Sequence, residues 1–129
     1  MNAHAGEGRL RALGYVSGVY DLALALPMLF APEATAALFG APPPIPVLNA
    51  QLNGVFTLTL AAGYFWAVRE PFERRGYFWA AGVLAKLLGA SLFVADHFLR
   101  GSPTSFLLFA ASDGTLGVAT LALLLRARR

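Results

Sequence analysis

The chain is predicted to be an all-α polytopic membrane protein, a single antiparallel bundle of four transmembrane helices. Three observations lead there. Of its 129 residues, 57% are hydrophobic and only 13% charged, a balance too apolar for an ordinary water-soluble domain. Four apolar stretches, about 10–30, 47–68, 76–99 and 105–125, approach or exceed the roughly 20 helical residues that cross a hydrocarbon core about 30 Å thick. The nine arginines gather at the ends of these stretches instead of lining one face, so the formal charge of +3 describes membrane anchors and not a nucleic-acid surface.

The first stretch follows a polar tail, 1–9, and resembles the opening of a signal peptide. It contains Asp21 and Pro27 and runs too long for a simple apolar signal core, so a retained first helix is predicted over 10–30. The segment 31–46, "APEATAALFGAPPPIP", then opens with Pro32 for one short helical turn through Phe39, before the prolines from Pro42 to Pro46 stop it; it is expected to lie at the outer membrane surface. Helices two and three, 47–68 and 76–99, are joined by the short "REPFERR", and helices three and four by "RGSPT", which makes each pair antiparallel neighbours.

With four crossings, the side holding the N-terminus, the 69–75 connection and the C-terminus collects Arg9, Arg11, Arg69, Arg74, Arg75, Arg126, Arg128 and Arg129, against Arg100 alone on the other. The positive-inside rule places both termini in the cytoplasm. The pentapeptide "GYFWA" occurs at 63–67 and at 76–80, closing helix two and opening helix three at that same interface. Tyr64, Trp66, Tyr77 and Trp79 are accordingly predicted to form an interfacial aromatic belt, and the repeat is not a tandem duplication because its copies run in opposite directions.

Four polar residues share one expected depth. Asp21 lies twelve residues from Arg9, Thr57 twelve from Arg69, Lys86 eleven from Arg75 and Asp113 thirteen from Arg126. At about 1.5 Å per residue, each sits roughly 16–20 Å beyond its arginine, near the bilayer midplane. A charge facing lipid there costs at least about 2.5–3.5 kcal/mol, so Asp21, Lys86 and Asp113 are expected to converge inside the bundle. Lys86 is the only lysine, and with both carboxylates in reach the ionised group carries −1, which makes it a candidate proton-accepting site. The same three residues also serve as simple structural glue in the competing reading.

Small residues support convergence. Gly14, Ser17, Gly18, Asp21 and Ala25 recur at helical spacing on helix one, Ala110, Asp113, Gly114, Gly117 and Thr120 on helix four, and Gly82, Lys86, Gly89 and Ala90 on helix three. Asn49 and Asn53 on helix two, with Asp96 and His97 at the end of helix three, suggest a polar entrance from the outer surface.

No catalytic signature is present. There is no P-loop, dinucleotide fingerprint or H-E-x-x-H, and the absence of cysteine removes disulfides, thiolate metal sites and thiol redox chemistry. His4 and His97, predicted on opposite sides, make no metal or haem pair, so no metal and no cofactor are expected.

The layout resembles that of the small four-helix bacterial membrane proteins grouped as DoxX-like. The resemblance rests on "VYDLALALP" leading to "FAPE", on "GYFWAVREP" and on the lone lysine in "LAKLLGA". Members of that group are linked to quinone-connected oxidoreductase complexes, so the resemblance implies a companion subunit in the bacterial cytoplasmic membrane and transfers no catalytic residue. The sequence therefore predicts a non-catalytic accessory or stabilising subunit, in contact with the lipid bilayer and with other membrane subunits or copies of itself. The alternative is a small proton- or ion-linked transporter acting through Asp21, Lys86 and Asp113.

Overall fold

The computed structural model describes residues 2–127. Met1 of the expected tail, and Arg128 and Arg129 of the arginine split, lie outside the described residues. Within them there are five helices and no strand: α1 (Ala3–Phe30), α2 (Pro32–Leu38), α3 (Val47–Ala67), α4 (Arg75–Arg100) and α5 (Phe106–Arg126).

Helix α1 begins at Ala3, well before the expected apolar start, because the Asn2 side chain accepts a hydrogen bond from the His4 N–H (3.1 Å) and no proline interrupts the turns after it until Pro27. Pro27 sits in the last turn, and the chain breaks at Ala31 before Pro32 opens α2. Helix α4 ends at Gly101, whose φ of 70° is the left-handed conformation that a helix C-terminus commonly takes. Its residues 78–85 are π-helical, so the face presented before this stretch and the face presented after it are offset, and Lys86 is the first residue beyond it.

Helices α1, α4 and α5 are long and apolar enough to cross a membrane. Their length and composition suggest a membrane protein. Helix α3 matches α5 in length, at 21 residues, but its first turns carry Asn49, Gln51 and Asn53 and are correspondingly less apolar. Along α4, Leu84, Leu88, Leu92 and Leu99 form an exposed apolar stripe, as a lipid-facing side requires.

Helix α1 packs antiparallel to α3, with Gly54 of α3 against Leu29 and Ala25 at one end and Gly14 of α1 against Val68 at the other. Helices α4 and α5 form a second antiparallel pair, held by Phe93 against Phe106 and by Thr120 over Gly82. The two pairs meet where α1 touches α4 and α5 and where the end of α3 touches the start of α4. The core lies toward the arginine-rich end, around Leu10, Tyr64, Val68, Phe78 and Leu124.

That end is tied by polar contacts to backbone. Arg11 Nε donates to the Val68 carbonyl (3.0 Å) just beyond α3, while its Nη2 pairs with Glu7 (3.0 Å). Arg74 donates to the Trp66 carbonyl (2.6 Å), stacks over the Trp66 ring and pairs with Glu70. Both arginines thus reach carbonyls at the C-terminal end of α3, where the backbone's own hydrogen bonding runs out. Arg11→Ala is expected to lower stability by about 1 kcal/mol, a modest figure because the guanidinium is partly solvated. Thermal melting in detergent measures this; an unchanged midpoint would show that the Val68 contact contributes nothing.

The repeated pentapeptide now has a physical account. Its two copies pack on each other, the Tyr77 ring of the second lying directly over Gly63 of the first while its hydroxyl donates to the Leu60 carbonyl. Trp66 is half exposed, and Tyr77 and Trp79 are partly buried. Tyr64 corrects the belt expectation: at 1% exposure this is a core residue, edge-on to Tyr77 (centroids 5.2 Å apart) and Phe78 (6.1 Å). Helical spacing places Tyr64 on the face of Ala61 and Ala67, which packs inward, whereas Trp66 points away from it.

Candidate functional site

The three charges expected at one depth meet. Lys86 Nζ lies 3.3 Å from Asp21 Oδ1, within hydrogen-bonding geometry, and 3.6 Å from Asp113 Oδ1. Each is delivered by a face of small residues. On α1 the stripe read from spacing, Gly14, Ser17, Gly18, Asp21 and Ala25, is the buried face. A Cβ added at Gly18 would stand 3.1 Å from the Phe65 ring of α3, and one at Gly117 of α5 would stand 2.7 Å from Leu87 of α4. Such close backbone approach draws short aspartate side chains from two helices to one ammonium.

Two tyrosine rings complete the surroundings of Lys86. Its ammonium is 5.1 Å from the Tyr20 ring centroid and 5.7 Å from that of Tyr64, both within cation–π range. The Tyr20 hydroxyl is 2.6 Å from Ser112 Oγ, which also reaches the Leu108 carbonyl (2.8 Å), and the Tyr20 hydroxyl hydrogen-bonds Asp113 as well. Asp21 Oδ2 is buried with no hydrogen-bond partner of ordinary geometry, so the ammonium leaves one oxygen of this carboxylate unsatisfied; Ser17 Oγ and the Tyr64 hydroxyl, which face each other, are likewise buried without one.

The two aspartates are not equivalent. The Asp21 side chain is 7% exposed and that of Asp113 18%. Asp113 also lines a cavity of about 510 Å3 between the second half of α1, helix α2 with the proline-rich segment, and the facing parts of α3, α4 and α5. Asn53 lines the same cavity.

No protein-family model, curated protein or solved structure matches this chain. The functional reading therefore stands on the geometry of the charged group and the cavity beside it.

The remaining residues expected at the site have other partners or positions. Thr57 turns its hydroxyl to the Asn53 carbonyl on its own helix (2.8 Å). Asp96 pairs with Arg100 (2.7 Å) and His97 Nδ1 meets the Ser102 carbonyl (2.8 Å), so both secure the end of α4, and Asn49 is exposed. Of the expected polar entrance, Asn53 is the member that shares a cavity with the charged group. Tyr20 and Ser112, which spacing did not single out, are the immediate chain neighbours of Asp21 and Asp113; that adjacency is the signal that could have found them.

Proposed function

We propose that this protein crosses the bacterial cytoplasmic membrane four times, with both termini and the 69–74 turn inside, and acts as a small proton- or ion-linked carrier in which Asp113 is the exchanging group. Helix α3 joins the other three as a span because its 21 residues are about 31 Å long and its asparagines fall at one end, where an interface would meet them. The arginines at the opposite end, Arg9, Arg11, Arg69, Arg74, Arg75 and Arg126, support a cytoplasmic placement. The resemblance to DoxX-like proteins belongs to the same proposal and rests on its short motifs.

One observation carries the carrier reading: a carboxylate that holds a buried lysine also lines a cavity. Ionisable groups within a membrane are costly, and an aspartate reachable from a cavity can exchange its partner where a sealed one cannot. Asp21, the more enclosed carboxylate, keeps Lys86 in place while Asp113 changes partner. Tyr20 and Tyr64 are the other titratable groups facing the ammonium.

The competing reading, an accessory subunit packed against a larger complex or a second copy, draws on the small size and short loops. The absence of catalytic motifs supports it as well, while the small-residue stripes, which could face helices of the bundle or of a second copy, make contacts within one chain, Gly14 against Val68 and Phe78, Gly18 against Phe65, Gly117 against Leu87. That favours a self-contained bundle in lipid. In sealed vesicles under an imposed pH gradient, purified wild-type protein is expected to carry proton-linked flux and Asp113→Asn to reduce it by about fivefold or more, with an unchanged melting temperature. Equal flux in both, or extraction from native membranes only as a fixed-ratio assembly with unrelated chains, would favour the subunit reading.

A further inference from the structure

The cavity beside Asp113 has a composition that selects for charge as well as size. Its volume, about 510 Å3, falls within the range of about 300–1,000 Å3 usual for small-molecule sites. Four phenylalanines line it, Phe39 from the end of α2, Phe93 from α4 and Phe106 and Phe109 from α5. They form a connected aromatic cluster: Phe39 to Phe109 is 4.7 Å between centroids, Phe109 to Phe93 5.4 Å, and Phe106 lies 6.0 Å from both Phe93 and Phe109. The Ser105 hydroxyl donates to the Phe39 carbonyl and holds the α2 end of this cluster against the start of α5.

The charge in the cavity wall is one-sided. Asp113 lines it, whereas Lys86 and Asp21 do not. Lys86 is only 5% exposed and is shared between two carboxylates, so the buried group, when ionised, has one more negative charge than positive. A molecule entering the cavity meets the Asp113 carboxylate and the phenylalanine rings. A neutral apolar molecule gains the rings alone, an anion is repelled by Asp113, and a cation gains both.

We propose that this cavity binds a hydrophobic monocation, an aryl- or alkyl-substituted amine or quaternary ammonium, with its nitrogen against Asp113 and its apolar body among Phe39, Phe93, Phe106 and Phe109. The proposal rests on the exchange role given to Asp113 and names the solute that exchanges with the proton or with Lys86. The protonated and cation-bound forms are alternatives at one carboxylate, so no co-reactant is required.

The test is calorimetric titration of the purified protein in maltoside micelles, which contain no ammonium headgroup of their own, with three probes that share a phenylalkyl body. These are 4-phenylbutyl-trimethylammonium, its neutral isostere with carbon in place of nitrogen, and 4-phenylbutyrate. The cation is expected to bind one per chain, the neutral isostere about tenfold or more weakly, and the carboxylate not at all above the micelle blank. Asp113→Asn should bring the cation down to the affinity of the isostere, and Phe109→Ala should weaken both. Equal binding of cation and isostere, or no binding of either, overturns the proposal, and because that comparison uses wild-type protein it does not depend on how any variant folds. Asp113-dependent proton flux without cation binding would overturn the choice of solute and leave the carrier reading standing; loss of both would overturn both.

Discussion

Replacing Lys86 by methionine is expected to lower the stability of the protein by about 3–5 kcal/mol, the usual effect of removing one partner from a buried ionic group. Methionine is close to lysine in length and fills the same space, so the loss isolates the ammonium. Two carboxylates are then left that faced a common cation at 3.3 and 3.6 Å, in a site largely withdrawn from solvent. The rings of Tyr20 and Tyr64, at 5.1 and 5.7 Å from the ammonium, lose their cation at the same time. In detergent-solubilised protein the melting midpoint should fall by on the order of 10 °C or more.

The same argument fixes the sign of the rescue. Neutralising the whole group, in the combination Asp21→Asn, Lys86→Met and Asp113→Asn, removes the desolvation cost along with the attraction, and such replacements are often neutral or stabilising. The triple variant is therefore expected to melt well above Lys86→Met alone, near the wild type, while losing flux. A triple variant as unstable as the single one would mean that the lysine acts through packing and not through charge. A Lys86→Met protein that melts like the wild type would remove the ion group from any account of what holds the four long helices together.

The parts of this arrangement that could be read from the sequence are those that depend on spacing alone. Similar distances from the terminal arginines, eleven to thirteen residues, placed Asp21, Lys86 and Asp113 at one depth, and small residues at helical intervals marked the inward faces of α1 and α5; both depend only on rise and periodicity. Features that depend on rotation about a helix axis were harder to reach. Tyr64 and Trp66 are two residues apart in one motif, and the rotation between them puts the first in the core and the second at the surface. Thr57 shares the depth of the cluster, yet its hydroxyl returns to Asn53. The π-helical stretch at 78–85 has no marker in "FWAAGVLA" comparable to a proline, and it sets which way Lys86 faces. The cavity depends on α2 and the proline-rich segment lying over the helix ends, and no period in the sequence encodes that.

Substitution of Gly14 tests the close approach on which the charged group depends. A Cβ placed there would overlap a Val68 methyl and stand 2.9 Å from the Phe78 ring, and both of those side chains are fully buried. Both are packed in the core around Leu10, Tyr64 and Leu124, so neither can withdraw without displacing other buried side chains. Gly14→Ala should therefore cost about 1–3 kcal/mol, and Gly14→Leu more than that, by separating α1 from α3 and α4. Asp21 lies two turns further along the same face of α1, so the displacement also lengthens its reach to Lys86. Gly8 provides the control within the same helix: it is exposed, nothing stands within 4 Å of its Cβ position, and Gly8→Ala should raise stability by about 0.5–1 kcal/mol through helix propensity alone. Opposite shifts in melting midpoint for Gly14→Ala and Gly8→Ala are the expected result. Equal upward shifts would mean that α1 does not approach its neighbours this closely, and the convergence of the three charges would lose its structural basis.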